Sequence, residues 1–310
     1  MENSEAHSYN VVRDSVWLHR YTLLLAVCTL FLVIAGAEVT SHQAGLSVPD
    51  WPLSYGQVMP PMTGGVFFEH GHRMVATSVG LLTIGLVIFL ARREKRAWMR
   101  RLGWIALGAV IVQGVLGGLT VLLLLPPAVS VAHACLAQLF FSTTVAMAVF
   151  TSRSWLRGPE PVSDYGWPSM RALAIVTPAA VLAQIALGAG FRHRAISVLP
   201  HVIGAVVVSI IILTTCAFVL HQFPEHKALR KPATVLLGVT VLQFGLGLAT
   251  YLAGSRADQP QLSTIVSTVL HVAMGALTLA ASVVLAIQIR RNVQVAAEAG
   301  ANSRHAAVIS

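Results

Sequence analysis

Eight runs of apolar residues, each close to the ~20 residues that a helix needs to cross a bilayer, follow one another along this chain of 310 residues. Only 11% of all residues are charged, against about 25% in soluble domains. A helix satisfies its own backbone hydrogen bonds in hydrocarbon, which an isolated strand cannot do. The runs lie at about 17–38, 67–91, 102–123, 130–151, 172–190, 199–220, 233–253 and 264–289. The sequence therefore predicts an all-α membrane protein with eight transmembrane helices in a lipid bilayer.

Basic residues are concentrated in alternate loops. Seventeen of the 21 Lys and Arg residues lie in the two termini and in the loops at 92–101, 152–171 and 221–232. The other loops contain only Arg192, Arg194 and Arg256. Because cytoplasmic loops carry the excess of basic residues, both termini are predicted to be cytoplasmic. The net charge of +9 thus reflects topology, and we expect no binding of nucleic acid. The first run is a full span without a cleavage site after it, so no cleavable signal peptide is expected.

A short pattern recurs in the third, fifth and seventh runs. It reads Gln113-Gly-Val-Leu-Gly-Gly, Gln184-Ile-Ala-Leu-Gly-Ala and Gln243-Phe-Gly-Leu-Gly-Leu. Each copy is followed by a predicted outer loop and by a run with a histidine near its start. Small residues recur in any membrane bundle because they let helices approach, but Gln and Leu-Gly at one spacing favour a duplication. We predict two pseudo-repeated four-helix bundles, formed by residues 1–160 and 161–310.

Four of the 12 histidines, His72, His133, His201 and His271, lie in the second, fourth, sixth and eighth runs. Each of these runs is predicted to cross from outside to inside. Each histidine lies 19 or 20 residues before the first basic or histidine residue at the inner end. At about 1.5 Å per residue this distance is about 30 Å, nearly the full membrane thickness. All four imidazoles are therefore predicted at one depth near the outer surface.

Imidazoles that project inward from facing helices are a common way for helical bundles to hold metals and cofactors. One such histidine is more commonly satisfied by a neighbouring helix, but four at one depth are not explained in that way. Two histidines in each half fit two haems with two axial ligands each. Zinc would require three or four ligands at one site. A di-iron centre would require several carboxylates, of which only Glu38 and Glu69 lie near this layer. Haem iron is therefore the better fit.

Glu69 lies three residues before His72, so the two side chains share one helix face. Glu69 is either an interfacial carboxylate paired with Arg73 or an acid–base group beside the cofactor. Arg73 is a candidate partner of a haem propionate, because its guanidinium matches carboxylate geometry. His42 and His193, in predicted outer loops, are interpreted as solvated.

Motifs in a characteristic order extend over nearly all of the chain. The outer loop contains Gln43-Ala-Gly-Leu-Ser-Val-Pro-Asp-Trp-Pro-Leu-Ser-Tyr-Gly-Gln57, and Glu69-His-Gly-His72-Arg73 follows it. The stretch from Gln113 to His133 comes next, and His201 and His271 complete the series. In order, spacing and topology these motifs resemble the haem A synthase family, the bacterial and mitochondrial membrane enzymes that make haem A for terminal oxidases.

The resemblance implies an oxidoreductase that oxidises the C8 methyl of haem O to a formyl group by successive hydroxylations, which yields haem A. It assigns the substrate haem to His72 and His133, with Glu69 as the catalytic residue beside it. It assigns a stably bound haem b to His201 and His271, as the electron-transfer cofactor. Further expectations are a bacterial cytoplasmic membrane, haem sites near its outer face, haem O delivered by a haem O synthase, an unidentified electron acceptor and a homo-oligomer.

The chain departs from the family pattern at cysteines. Many bacterial members carry two in the first outer loop, where this sequence has Val48 and Ser54, and another pair after the fifth span, where loop 191–198 has none. Thiol chemistry in these loops is therefore excluded here. Two other functions also fit the residues. One is a di-haem cytochrome b that only relays electrons, and the other is a haem transporter, which internal duplication would suit.

Overall fold

The computed structural model describes residues 2–164, 166–167, 169–254 and 261–294, with side chains from residue 16 onward. Within these residues the chain forms nine α-helices and two short strands. In chain order the elements are α1 (Glu2–Ser41), α2 (Gly65–Arg93), α3 (Ala97–Leu122), α4 (Pro127–Thr151), α5 (Arg153–Leu156), β1 (Val162–Ser163), α6 (Met170–Arg192), α7 (Val198–Gln222), α8 (Lys227–Gly254), α9 (Leu262–Asn292) and β2 (Val293–Gln294). Arg256, from the predicted charge pattern, lies outside the described residues.

Every described helix except the four-residue α5 is long and apolar enough to cross a membrane. The eight predicted runs coincide with these helices to within a few residues, apart from the start of α1. The prediction of an all-α, multi-pass membrane protein with eight spanning helices is therefore confirmed. Helix α1 begins earlier than predicted, at Glu2, because no Gly or Pro interrupts the polar segment before Val16.

The eight long helices pack as two groups of four. The helices contact one another in cyclic order, α1–α2–α3–α4 in the first group and α6–α7–α8–α9 in the second. Helices α2 and α4 are thus diagonal partners across one interior, and α7 and α9 across the other. Each group has its own apolar core, and the groups join where α1 and α4 pack on α9 and α4 on α6. The duplication and the division at residue 160 stay predictions.

The segment between the two groups is fastened to the end of α9. Strand β1 pairs in parallel with β2, and the Glu160 N–H donates to Asn292 Oδ1 at 2.8 Å. The Arg291 guanidinium lies over the Trp155 ring, 3.8 Å from its centroid. The two-residue strands were not predicted, because alternation cannot be recognised over so short a stretch.

Candidate functional site

The four predicted ligand histidines lie near the starts of α2, α4, α7 and α9, no more than nine residues after each helix begins. His72 and His133 are thus on diagonal partners of the first group, and His201 and His271 on those of the second. All four residues are half-buried. The helix packing therefore arranges the predicted ligands as two pairs, one in each group.

The two imidazole rings of the second pair lie close together. The ring centroids of His201 and His271 are 6.3 Å apart, and the ring planes are at 88°. A metal–nitrogen bond of about 2 Å, with the centroid about 1 Å beyond the nitrogen, puts two trans imidazoles about 6 Å apart. This spacing would suit one iron held by a nitrogen of each ring. In the first group, His133 lies close enough to His72 to act electrostatically on its ring.

Larger metal-binding clusters receive no support from the geometry. Among the described residues, no three His, Cys, Asp or Glu side chains converge so that they could hold a metal ion. Zinc and di-iron centres need such a cluster, whereas a haem needs the two ligands that each histidine pair supplies.

Each of the four imidazole rings packs against a glycine of the preceding helix. A Cβ at these glycines would lie 2.8–3.1 Å from the imidazole Cε1. Ordinary carbon–carbon contacts are about 3.5–4 Å, so only a residue without a side chain permits this approach. The pairs are Gly36–His72, Gly117–His133, Gly188–His201 and Gly247–His271.

The carbonyl four residues before each glycine also lies near the ring, and for His271 the Gln243 carbonyl is 3.2 Å from Nδ1. These carbonyls belong to Leu32, Gln113, Gln184 and Gln243. A helical side chain leans over the preceding turn, so a glycine leaves that carbonyl open to a second donor. An imidazole N–H donated to a carbonyl orients the ring and leaves its other nitrogen for a metal. We call the glycine and this carbonyl the histidine cradle.

Three of the four cradles add a glutamine amide. Gln184 Nε2 lies 3.0 Å from His201 Nδ1 and donates to the His201 carbonyl at 2.8 Å. Gln113 Nε2 lies 3.3 Å from His133 Nε2, and Gln243 Nε2 lies 3.3 Å from His271 Nε2. The fourth cradle has Leu32 at this position, so its histidine lacks the amide. The recurring Gln and Gly of the sequence pattern are thus the immediate surroundings of the histidines.

Glu69 and Arg73 fasten the first outer loop to α2. Glu69 is buried, and its carboxylate accepts from Arg73 at 2.6 Å and from the Val48 N–H at 2.8 Å. The Arg73 guanidinium also donates to the carbonyls of Asp50 and Leu53, at 2.8 and 2.9 Å. The interfacial ion pair is therefore present. The acid–base role of Glu69 and the propionate contact of Arg73 stay predictions.

The same loop packs on α3 and on His70. A Cβ at Gly118 would lie 2.6 Å from the Trp51 ring, so the indole rests directly on α3. Ser54 Oγ lies 2.8 Å from His70 Nδ1, a contact that the sequence did not indicate. A hydrogen bond from the Gly56 N–H holds the pKa of the Asp50 carboxyl below its usual value. The loop is thus an ordered cover at the histidine end of the first group.

Arg192 and His193, at the end of α6, lie between the two groups. His193 was expected to be solvated, but it is half-buried and close enough to act electrostatically on His133. Burial lowers the pKa of the His193 imidazole, and Arg192 adds to this effect. Arg192 donates to Ser41 Oγ at 2.8 Å and to the Ala37 carbonyl at 3.4 Å. The sequence did not reveal these positions, because a loop residue carries no periodic signal that shows which way it turns.

The fold defines a multi-pass membrane protein, in which each group of four long apolar helices carries a pair of cradled imidazoles as a candidate binding site. Residues 63–199 match the COX15-CtaA family, described as a cytochrome oxidase assembly protein. The chain is 30% identical over 185 residues to a haem A synthase of Symbiobacterium thermophilum, in an alignment that covers 57% of this chain and 59% of the relative. Over the matched parts, the chain is thus similar to haem A synthases.

Two further relatives carry the same description. The haem A synthase of Shewanella oneidensis is 28% identical over 192 residues, which cover 56% of this chain and 55% of the relative. The haem A synthase of Beijerinckia indica subsp. indica is 26% identical over 298 residues, 82% of each chain. The chain thus spans little more than half the length of the first two relatives, and most of the chain of the third.

Proposed function

We propose that this protein converts haem O to haem A by oxidising the C8 methyl group of haem O to a formyl group. The observation that carries the proposal is the facing imidazole pair, in a chain related to haem A synthases. His72 and His133 hold the substrate haem, and His201 and His271 hold a resident haem b. When bound, haem b supplies one-electron redox chemistry, which suits an outlet for the electrons of the oxidation.

A difference between the cradles supports this division of roles. A substrate has to enter and leave, whereas a cofactor stays. Of the four histidines, only His72 has no glutamine amide in its cradle, because Leu32 stands where the other three have Gln. The His72 ring is therefore held by fewer polar contacts than the other three. The weaker cradle therefore suits the haem that is exchanged.

Glu69 is the proton acceptor in this proposal. Oxidation of a methyl group to an aldehyde releases protons as well as electrons, so a base near the reacting methyl group has a clear task. Glu69 is buried on the helix face that also carries His72. Its bonds to Arg73 and to the Val48 N–H hold the carboxylate in one orientation.

The cellular setting belongs to the same proposal. The distribution of basic residues supports cytoplasmic termini and histidine pairs near the outer face of a bacterial cytoplasmic membrane. Haem O arrives from a haem O synthase, and the electrons leave to an acceptor outside this chain. Assembly into a homo-oligomer is part of the proposal as well.

Single histidine substitutions test the two-site arrangement. His201→Ala or His271→Ala should remove the low-spin haem b signal, because each leaves one axial ligand. His72→Ala or His133→Ala should leave most of that signal and abolish haem A. The measurements are reduced-minus-oxidised spectra of the purified protein and chromatography of extracted haems. Equal loss of one haem in all four stable variants would contradict the proposal.

A di-haem cytochrome b that only relays electrons is the second candidate. One observation favours it, namely that both carboxylate oxygens of Glu69 are already hydrogen bonded. Such a protein would hold two permanent haems and would leave added haem O unchanged. The haem extraction described above separates the two functions, because only the enzyme accumulates haem A.

A further inference from the structure

Arg192 is a half-buried cation with no counter-ion among the residues that the structure describes. Its guanidinium donates to Ser41 Oγ and to the Ala37 carbonyl, which are both uncharged. Among the described residues, the ion pairs join other side chains, and none includes Arg192. A charge that is withdrawn from water without a partner is costly, so buried guanidinium groups are normally paired with an anion.

The position of Arg192 indicates which anion. The residue ends α6, one turn after Gly188, the glycine of the His201 cradle. It is also close enough to act electrostatically on His271, the other member of that pair. Ala37, which it contacts on α1, adjoins Gly36 of the His72 cradle. The N–H donors of the Arg192 guanidinium therefore lie at the edge of the His201–His271 pair, on the side facing His72 and His133.

Haem carries two propionate carboxylates at its edge, and guanidinium pairs with carboxylate through two parallel hydrogen bonds. The other arginine near the histidines, Arg73, already donates to Glu69 and to loop carbonyls. We infer that Arg192 binds a propionate of the haem held by His201 and His271. This inference rests on the proposed function, since it needs a haem on that pair.

The test compares two porphyrins on one protein. Full-length protein from haem-depleted membranes is titrated with iron protoporphyrin IX and with its dimethyl ester, which lacks the propionate charges. Arg192→Gln should weaken binding of the free acid about tenfold or more and leave binding of the ester unchanged. It should also lower the midpoint potential of the bound haem, because loss of a nearby positive charge favours the ferric state. The matched control is Arg194→Gln, an exposed arginine two residues away, which should change neither quantity.

Two results would overturn the inference. Equal weakening for both porphyrins would show that Arg192 only fastens α6 to α1, and unchanged affinity for both would show that it binds no propionate. If Arg192→Gln does not fold, Arg192→Lys replaces it, which keeps the charge but removes the bidentate fork, and Ser41→Ala removes the structural contact alone. Absence of bis-histidine haem from the wild type would instead count against the proposed function. That outcome is therefore distinguishable from failure of the Arg192 contact.

Discussion

At the scale of single residues, a polar network secures the first outer loop where many related proteins are expected to have cysteines. Val48 and Ser54 occupy those positions, and both are buried. The Val48 N–H binds Glu69, and Ser54 Oγ contacts His70. Arg73 reaches both segments, since it donates to the Val48 carbonyl at 3.5 Å and to Ser54 Oγ at 3.4 Å. Hydrogen bonds and one buried ion pair thus secure this loop without a covalent link.

The proposed role of Glu69 as a base can be tested separately from its contact with the first outer loop. Glu69→Gln keeps an oxygen for the Val48 N–H but removes the ionisable group. We expect normal folding and haem b content, with haem A lowered about 100-fold or more, or stalled at a hydroxylated intermediate. The measurement is the haem composition of membranes that express the variant and are supplied with haem O.

Arg73→Gln is the comparison for that experiment, because it breaks the same ion pair and leaves the carboxylate in place. If Glu69 is the base, this variant retains more product than Glu69→Gln. Wild-type levels of haem A in Glu69→Gln, or equal losses in both variants, would reduce Glu69 to a structural carboxylate.

At the scale of the helix, the first, third, fifth and seventh spans each form the surface against which the histidine of the next span packs. Helices α1, α3, α6 and α8 each contribute one glycine and one open carbonyl, and the last three also contribute a glutamine amide. The ligand helices α2, α4, α7 and α9 contribute the imidazoles. Each ligand helix is therefore oriented by the helix that precedes it in the chain. On that preceding helix, the carbonyl and the glycine that contact the imidazole lie four residues apart.

Two glycines of α8 provide a direct test of the cradle. In Gly247→Ala the new Cβ would lie 2.9 Å from His271 Cε1, so we expect most of the low-spin haem b signal to be lost. In Gly245→Ala the new Cβ would have no neighbour within 4 Å, and the haem signal should be unchanged. Haem absorbance per mole of purified protein is the measurement. The cradle would lose its support if both variants retained haem equally.

At the scale of the whole molecule, two cyclic groups of four helices share a junction of small and apolar residues. Val33, Phe141 and Ala276 are buried there, where α1, α4 and α9 meet. Arg192 and His193 extend the junction at the histidine end, where Arg192 contacts Ser41 of α1 and His193 lies near His133.

The orientation of the eight spans in the membrane is a property of the whole molecule. Reporter fusions near positions 97, 160, 227 and 300 should report the cytoplasm, and those near 55, 127, 195 and 258 the outside, as the distribution of basic residues requires. Alternating helices that each cross the membrane permit only this order or its complete inversion, and the basic residues favour this one. An inverted pair of neighbouring loops would remove two spans and, with them, the common depth of the four histidines.

The sequence by itself determined the eight helices and the four candidate ligands. Span length and hydropathy are local properties, and a histidine near the start of every second span can be counted along the chain. The sequence also contained the Gln and Gly positions, but it did not connect them with the imidazoles. That connection needs the rotation of one helix against the next, which local patterns do not specify.

Only the tertiary structure decided how the charged residues are used. Arg73 turns toward the loop carbonyls, Glu69 binds the Val48 N–H, and Arg192 reaches across to α1. These contacts join residues that lie 20 to 151 positions apart in the chain, and they depend on loop conformations without any periodic signal. In a bilayer an unpaired charge is costly, so the choice of partner follows from whichever polar groups the packed helices bring within reach.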